Sequence, residues 1–486
     1  MNRALEVEEL KKIINRKKSD FFYVRGRRRV GKSWLLSALA KSQPNVFYFM
    51  ASRDARDEYH KILFAEKWDQ FRGTANLTDL SKQALTWNRI FDEVTKYAKT
   101  SKENLTLIFD EIQWLAKTGA GFCGLLKERW LEWEKLGNVK IIICGSSNRF
   151  FMEQTGGEEQ LLRGMKTHSD IWIHPFSLSE VHKQCFPHWS IQEVALLYMM
   201  IGGIPYYLQQ IDTEKNFIHA INQGIFLKES IFLEEVDEVL RIEFNKSAVI
   251  TCKNILKQLG YFGSTQLLII EKSKLPKSTV SESIEKLLDY NLLFSKWPLH
   301  TNNKKKNVGH VYYMKDFFLL FYFQVLEPIK ERIQNNEKSL LFPYEVLQSN
   351  SGYYISNFSG YAFELLLKAA LERGPEKYPA LYEKLELTDK NFEMGEYWND
   401  VTQIDLIVEH KKDRISRVIE VKWMDSKNMD LKQICQQLSE KQYPLPDNFS
   451  RKNYLLVSFK PNQKQIQACK KLNVTLFSLE DFFKHD

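Results

Sequence analysis

Short apolar runs recur through the first third of the chain, each followed by a segment with helical spacing. "FFYV" at 21–24, "NVFYFM" at 45–50, "LTLIF" at 105–109 and "VKIIIC" at 139–144 predict buried strands, and a helix is expected from Lys32. Strands that alternate with helices predict a parallel sheet covered on both faces. From about 186 to 300 the spacing turns helical, as in "IQEVALLYMMIGG" and "AVITCKNILKQLG". The runs "LLFSKW" and "HVYYM" flank "TNNKKKN" at 301–307, which predicts a hairpin with a lysine-rich tip. The polar stretch near 328 to 340 is expected to be a linker, and "QIDLIVE" and "RVIEVKW" predict a second sheet beyond it. No internal repeat or low-complexity tract is visible.

Composition narrows the class. A chain of 486 residues is too long for one core and suggests three or four domains, at about 150 residues each. Hydrophobic content of 44% with 27% charged residues is that of a soluble globular protein, and the net charge of +8 permits nucleic-acid binding without demanding it. The six cysteines are scattered, with no CxxC pair, which argues against structural zinc and a disulfide framework. The N-terminus lacks an apolar signal core, and the longest apolar run, "FFLLFYF" at 317–323, is far short of a bilayer span. A reduced, cytoplasmic location without membrane contact is expected.

The chemistry begins at Gly26, Arg27, Arg28, Arg29, Val30, Gly31, Lys32 and Ser33, which match GxxxxGK[ST] between a strand and a helix. Glycines let backbone N–H groups wrap phosphates, Lys32 reaches the β- and γ-phosphates, and Ser33 ligates Mg²⁺. "LTLIFDEIQW" then ends a strand in Asp110 and Glu111. Asp110 is expected to hold the Mg²⁺ of ATP, and Glu111 to polarise the attacking water. Ser146 and Ser147, after the strand "VKIIIC", are expected to sense the γ-phosphate, although serines there also serve as plain turn residues.

Near the C-terminus, Glu420 and Lys422 lie two apart and share one strand face, with Ile419, Val421 and Trp423 on the other. A hairpin whose turn is centred between Lys412 and Asp413 sets Asp405 opposite Glu420. Opposed like charges are destabilising unless something offsets them, and a divalent cation would do so. Lys422 then stands beside that cation, where it can stabilise a pentavalent phosphate. Hard oxygen ligands favour Mg²⁺ or Mn²⁺ over zinc. Taken singly, each of these residues also reads as an ordinary turn or cross-strand charge.

The ordered set "GRRRVGKS", "FDEIQW", "CGSSNRF", "GGIPYYL" and "QIDLIVEH…IEVKW" resembles the archaeal-type ATPase family, whose members carry a restriction-endonuclease-like domain at the C-terminus. The resemblance implies an α/β multidomain fold: a P-loop ATPase core over 1–185, a helical lid over 186–240, a winged helix over 241–335 and a nuclease-like domain over 336–486. It also implies nucleotide contacts near Arg3, an arginine finger at Arg163 and a third carboxylate at Glu364, on the helix "YAFELLLKAAL". Where the family has Gly-Arg, this chain reads Arg163-Gly164.

Two further expectations concern the middle of the chain. Gly202, Gly203 and Pro205 suit a nucleotide-dependent hinge or a tight helix turn. Thr279 and Glu282 stand at capping-box spacing, ahead of an apolar face of Val280, Ile284, Leu287 and Leu288. Glu282 and Glu285, beside Lys277 and Lys286, make that helix a weak reader of bases. Lys304, Lys305 and Lys306 are the candidate phosphate contacts.

The preferred reading is an ATPase that couples nucleotide state to DNA or other nucleic-acid binding and to Mg-dependent cleavage, with homo-oligomers as one form. The alternative is a regulatory ATPase whose C-terminal fold only binds a nucleic acid or another partner.

Overall fold

The computed structural model describes residues 3–118, 121–145, 150–151, 171–261, 263–300, 310–335, 353–423 and 430–483. The chain divides into two compact units, Met1–Pro175 and Phe176–Asp486. Among the described residues no helix is long and apolar enough to cross a membrane.

In the first unit, β1 (Asp20–Arg25), β2 (Val46–Met50), β3 (Leu105–Asp110), β4 (Val139–Cys144) and β5 (Ile171–Trp172) form a parallel sheet in the order β2-β3-β4-β1-β5. Alternation along the strands feeds two cores. Phe21 and Tyr23 join Phe47, Phe49, Phe109, Trp130 and Trp133 on one side. Phe22 and Val24 join Leu35, Leu36, Leu39, Ile108 and Ile142 on the other. Both faces are dry, which is why these strands read as nearly unbroken apolar runs. The strand order also sets the carboxyl end of β4 between those of β1 and β3.

The second unit opens with helices. Leu178–Cys185 and Ile191–Ile201 each begin with a capping box, Ser177 with Glu180 and Ser190 with Glu193. Gly203 lies against the start of the unit: its carbonyl accepts from Phe176 N–H at 2.7 Å, and an added Cβ would stand 2.0 Å from Phe176 O. Gly203 therefore permits a close backbone approach within the turn between the helices Ile191–Ile201 and Pro205–Leu208.

Helices Lys246–Lys257, Gln266–Ser273 and Lys277–Asp289 precede β6 (Phe294–Lys296) and β7 (Val311–Tyr313), which pair antiparallel. This is the element order of a winged helix. The lysine tip lies outside the described residues, so Lys304, Lys305 and Lys306 have no placement.

Two local expectations are corrected. The helix over 277–289 starts after Pro276, whose side chain makes no cap, so Thr279 sits inside the first turn and forms no capping box with Glu282. Proline fixes its own φ and donates no N–H, which sets the helix start three residues earlier. The supposed linker contains the helix Glu327–Gln334, with Pro328 in its first turn and Ile333 buried; residues 336–340 lie outside the described residues.

The second sheet contains β8 (Phe392–Trp398), β9 (Gln403–His410), β10 (Ile415–Lys422), β11 (Ser450–Val457) and β12 (Val474–Ser478), in the order β12-β11-β10-β9-β8. Strands β8 to β10 run antiparallel, and β10 to β12 run parallel. Leu406, Val408, Ile419 and Val421 pack into the core shared with the helix Tyr353–Arg373. Ile407, Val418 and Leu455 pack against Cys435 and Leu438 of the helix Leu431–Glu440. All six cysteines are free and buried.

Candidate functional site

The phosphate loop links β1 to the helix Lys32–Ser42. Gly26, with φ 149°, approaches so closely that a Cβ would lie 2.4 Å from Ile173 O, and Gly31 enters the helix in the left-handed region at φ 93°. Only glycine meets both demands without strain. Lys32 is buried, and its Nζ donates to Gly26 O at 2.8 Å and Arg27 O at 3.0 Å. The lysine thus sits folded over its own loop, a place where anionic oxygens can replace the two carbonyls.

Arg3 braces this loop from behind. Its guanidinium donates to Val30 O at 2.9 Å and His174 O at 2.8 Å, and pairs with Glu6 at 2.7 Å. The arginine is buried and reaches two protein carbonyls as well as Glu6.

Asp110 ends β3 fully buried. Its Oδ1 accepts from Glu111 N–H at 2.9 Å, and its Oδ2 accepts from the Tyr48 hydroxyl at 2.7 Å. Burial and the Asp110 charge push the Tyr48 hydroxyl pKa far up, so it remains a donor. Glu111 leaves the strand at φ 52°, a left-handed conformation costly for a non-glycine residue, and its carboxylate accepts from the Gln113 amide. Ser146, Ser147 and Arg163 lie outside the described residues.

In the second sheet the pairs Ile415↔His410 through Ile419↔Leu406 set the hairpin register. The next step in that register opposes Glu420 to Asp405. Both carboxylates are buried at 7% exposure, as is Glu364 on the helix Tyr353–Arg373. Asp405 Oδ2 accepts from Val421 N–H at 2.9 Å. Lys422 Nζ lies 2.7 Å from Glu420 Oε1 and 3.8 Å from Asp405 Oδ2. Four of the residues singled out from sequence, Glu364, Asp405, Glu420 and Lys422, are thereby brought together.

Electrostatics record the crowding. Burial, then the Glu420 charge, raise Asp405 to about 6. Burial, then the Asp405 charge, push Glu364 well above the usual carboxylate range. Burial opposes the Lys422 charge, yet Asp405 and Glu420 hold its amine above its ordinary value. Carboxylates forced together at a cost in protonation form a donor set suited to a hard divalent cation. Among the described residues no group of three or more His, Cys, Asp or Glu side chains is placed to hold a metal ion.

Sequence reasoning missed several partners. Lys441 places Nζ 2.6 Å from Glu420 Oε2, from the residue that follows the helix Leu431–Glu440. Glu396 on β8 accepts from both Lys368 and Lys296, and these amines, against the cost of burial, hold its carboxyl below the ordinary value. Lys296 belongs to β6, and Leu299 N–H donates to Glu396 O at 2.8 Å, which ties the hairpin's first strand to the edge of the second sheet. No motif marks these residues: a lone lysine or glutamate in a polar stretch carries no spacing signal. Tyr48 had one weak sign, a phenol in an otherwise greasy strand.

The parallel sheet and phosphate loop form a P-loop ATPase core. Residues 1–211 match the model of an ATPase domain predominantly from Archaea, and residues 322–434 match a family of archaeal and bacterial proteins of unknown function; the chain carries both domains. An uncharacterized protein of Methanocaldococcus jannaschii is 25% identical over 482 residues, which span 99% of each chain. Among solved structures, the Walker-type ATPase of Pyrococcus abyssi is similar at 20% identity and a TM-score of 0.48, covering 67% of this chain and 96% of that one. The ORC2 protein of Aeropyrum pernix, in ADPNP–ADP complexes, is similar at 11% identity and a TM-score of 0.41, covering 69% of this chain and 95% of that one.

Proposed function

We propose that this ATPase couples its nucleotide state to a metal-dependent nuclease carried by the second sheet. The observation that carries the nuclease half is the convergence of buried Asp405, Glu420 and Glu364 with Lys422 beside them. Packing like charges this way costs stability, and a site that acts on phosphodiesters gives a reason to retain the cost.

In the ATPase half, Lys32 exchanges the carbonyls of Gly26 and Arg27 for β- and γ-phosphate oxygens, while the backbone N–H groups of residues 26 to 33 wrap the phosphates. Ser33 and Asp110 hold the Mg²⁺ that accompanies ATP, and Glu111 polarises the attacking water. Ser146 and Ser147 sense the γ-phosphate, and Arg163 serves as the finger, within one chain or between subunits of a homo-oligomer.

In the nuclease half, Asp405 and Glu420 would hold a Mg²⁺ or Mn²⁺, and such an ion would supply Lewis-acid charge for phosphodiester hydrolysis. Lys422 presents an ammonium to the developing negative charge on the phosphoryl oxygens. The Val421 N–H fixes the orientation of Asp405. Glu364 supports the same cluster from its helix.

The test is to measure ATP hydrolysis in parallel with cleavage of single- and double-stranded DNA, with Mg²⁺ or Mn²⁺. Glu420→Ala should lose cleavage and keep ATP turnover, whereas Lys32→Ala should lose turnover and change cleavage or DNA affinity. Cleavage that survives Glu420→Ala would remove the second sheet from the reaction. No cleavage at all, together with DNA-stimulated ATP hydrolysis, would make the C-terminal domain a binding module.

A further inference from the structure

Glu420 is held by two amines. Lys422 takes Oε1 at 2.7 Å and Lys441 takes Oε2 at 2.6 Å, so both oxygens of the carboxylate are already engaged. The first contact follows from spacing along β10. The second does not, because it is built by a separate element.

The helix Leu431–Glu440 lies against the face of the sheet that carries Val418, with Leu431, Cys435 and Leu438 buried. Its carboxyl end is fastened from β11: Arg451 donates to Leu438 O at 2.6 Å and Lys441 O at 2.5 Å, and its guanidinium lies 5.5 Å from the Tyr443 ring centre. Tyr443 in turn donates from its hydroxyl to Ser416 Oγ at 2.8 Å on β10. A cation bonded to the last carbonyls of a helix satisfies groups that have no partner within it. Arg451 and Tyr443 thus fix the backbone on either side of Lys441, and with it the root of the chain that reaches Glu420.

We propose that Lys441 is a phosphate-binding residue that occupies the cation's place on Glu420 and moves to nucleic-acid phosphate when a divalent ion binds. The inference rests on the metal-dependent reading above. A divalent cation seated on Glu420 Oε2 competes with the Lys441 ammonium for that oxygen and repels its charge, so taking up the ion favours release of the Lys441 amine. Its anchored backbone keeps the freed amine next to Lys422. The two ammoniums then face the same phosphodiester, and the substrate class this favours is a polyanionic backbone read without base contacts. Lys441 also holds the site in a charge-balanced state before the ion arrives, which makes cation entry the step that turns a closed ion pair into a phosphate clamp.

The experiment measures Mn²⁺ binding to the nucleotide-free full chain by the loss of the free-ion paramagnetic signal. Wild type, Lys441→Met, Lys441→Arg and Glu420→Gln are compared, and circular dichroism confirms folding of each. Glu420→Gln defines binding elsewhere in the chain and is subtracted. Lys441→Met should bind Mn²⁺ roughly tenfold more tightly, because a competing positive charge a few ångströms away has gone. Lys441→Arg, which keeps the charge, should stay near wild type.

At saturating Mn²⁺, Lys441→Met should bind DNA several-fold more weakly, and with the ion chelated its DNA affinity should match wild type. Binding of Mn²⁺ by Lys441→Met alone would also support the competition. Equal or weaker Mn²⁺ binding by Lys441→Met, with wild type binding normally, would overturn this inference and leave the nuclease reading intact. No Mn²⁺ at Glu420 in any variant would overturn both.

Discussion

Asp405 Oδ2 accepts a hydrogen bond at 2.9 Å from the backbone N–H of Val421, the residue between Glu420 and Lys422. One strand thus supplies a carboxylate, an amide and an ammonium in consecutive positions, and the neighbouring strand supplies the group they act on. The bond locks the Asp405 side chain while its other oxygen stays available to the site.

The acid–base behaviour of Asp405 gives a first prediction. Its carboxyl titrates near about 6 in the fold, raised first by burial and then by Glu420, against about 3.9 in an unfolded chain. A folded-state pKa above the unfolded value means the fold holds the proton more tightly. The stability this adds is complete below about pH 4 and is lost as pH rises through about 6. In chelator-treated protein, Asp405→Asn should therefore melt higher than wild type at pH 8, by about 1–3 kcal/mol, with the gap closing by pH 4. Melting curves across that range check the sign.

Tyr48→Phe removes the hydroxyl that donates to Asp110 Oδ2 at 2.7 Å and leaves the Glu111 N–H in place. Asp110 would lose one of two restraints on its orientation. ATP turnover should fall about tenfold, the equivalent of a lost hydrogen bond of about 1.4 kcal/mol, while ATP binding changes little. Separate measurement of kcat and nucleotide affinity distinguishes this from general damage to the core.

Arg3→Met should loosen the phosphate loop from behind. The buried guanidinium bridges Val30 O and His174 O, and losing two charge-assisted bonds should cost about 3 kcal/mol in urea unfolding. Nucleotide affinity should weaken with it. An effect on affinity with full stability would instead assign Arg3 a direct nucleotide contact.

Gly203→Ala tests the backbone crossing at the start of the second unit. The new Cβ would lie 2.0 Å from Phe176 O, a backbone atom that cannot swing aside. A loss of about 3 kcal/mol or more is expected, read from thermal or denaturant unfolding. A neutral outcome would show that the segment has room to move, as a hinge would require.

How much of this was legible varies with the range of the interaction. The hairpin register could be read because only four residues separate β9 from β10, and the turn centre between Lys412 and Asp413 fixes every pair, Ile419 opposite Leu406 included. The phosphate loop could be read because its glycines answer a local backbone demand, visible at Gly26 and Gly31. The capping box at Thr279 failed because a proline three residues earlier set the helix start. The linker near 328 to 340 failed in part because Ile329 and Ile333, four apart, give that polar segment a narrow apolar face.

What the sequence by itself determined are the features that short spacing controls: two sheets, the P-loop, the acid pair ending β3, and the shared face of Glu420 and Lys422. Only the tertiary structure decided who meets those groups. Tyr48 reaches Asp110 across 62 residues, and Lys296 reaches Glu396 across 100. Lys441, although only 21 residues from Glu420, depends on a helix packed over the sheet and clamped by Arg451. The reason is physical: periodicity encodes which face a side chain takes, whereas the partner on that face is chosen by how separate elements pack, and packing leaves no local mark on the chain.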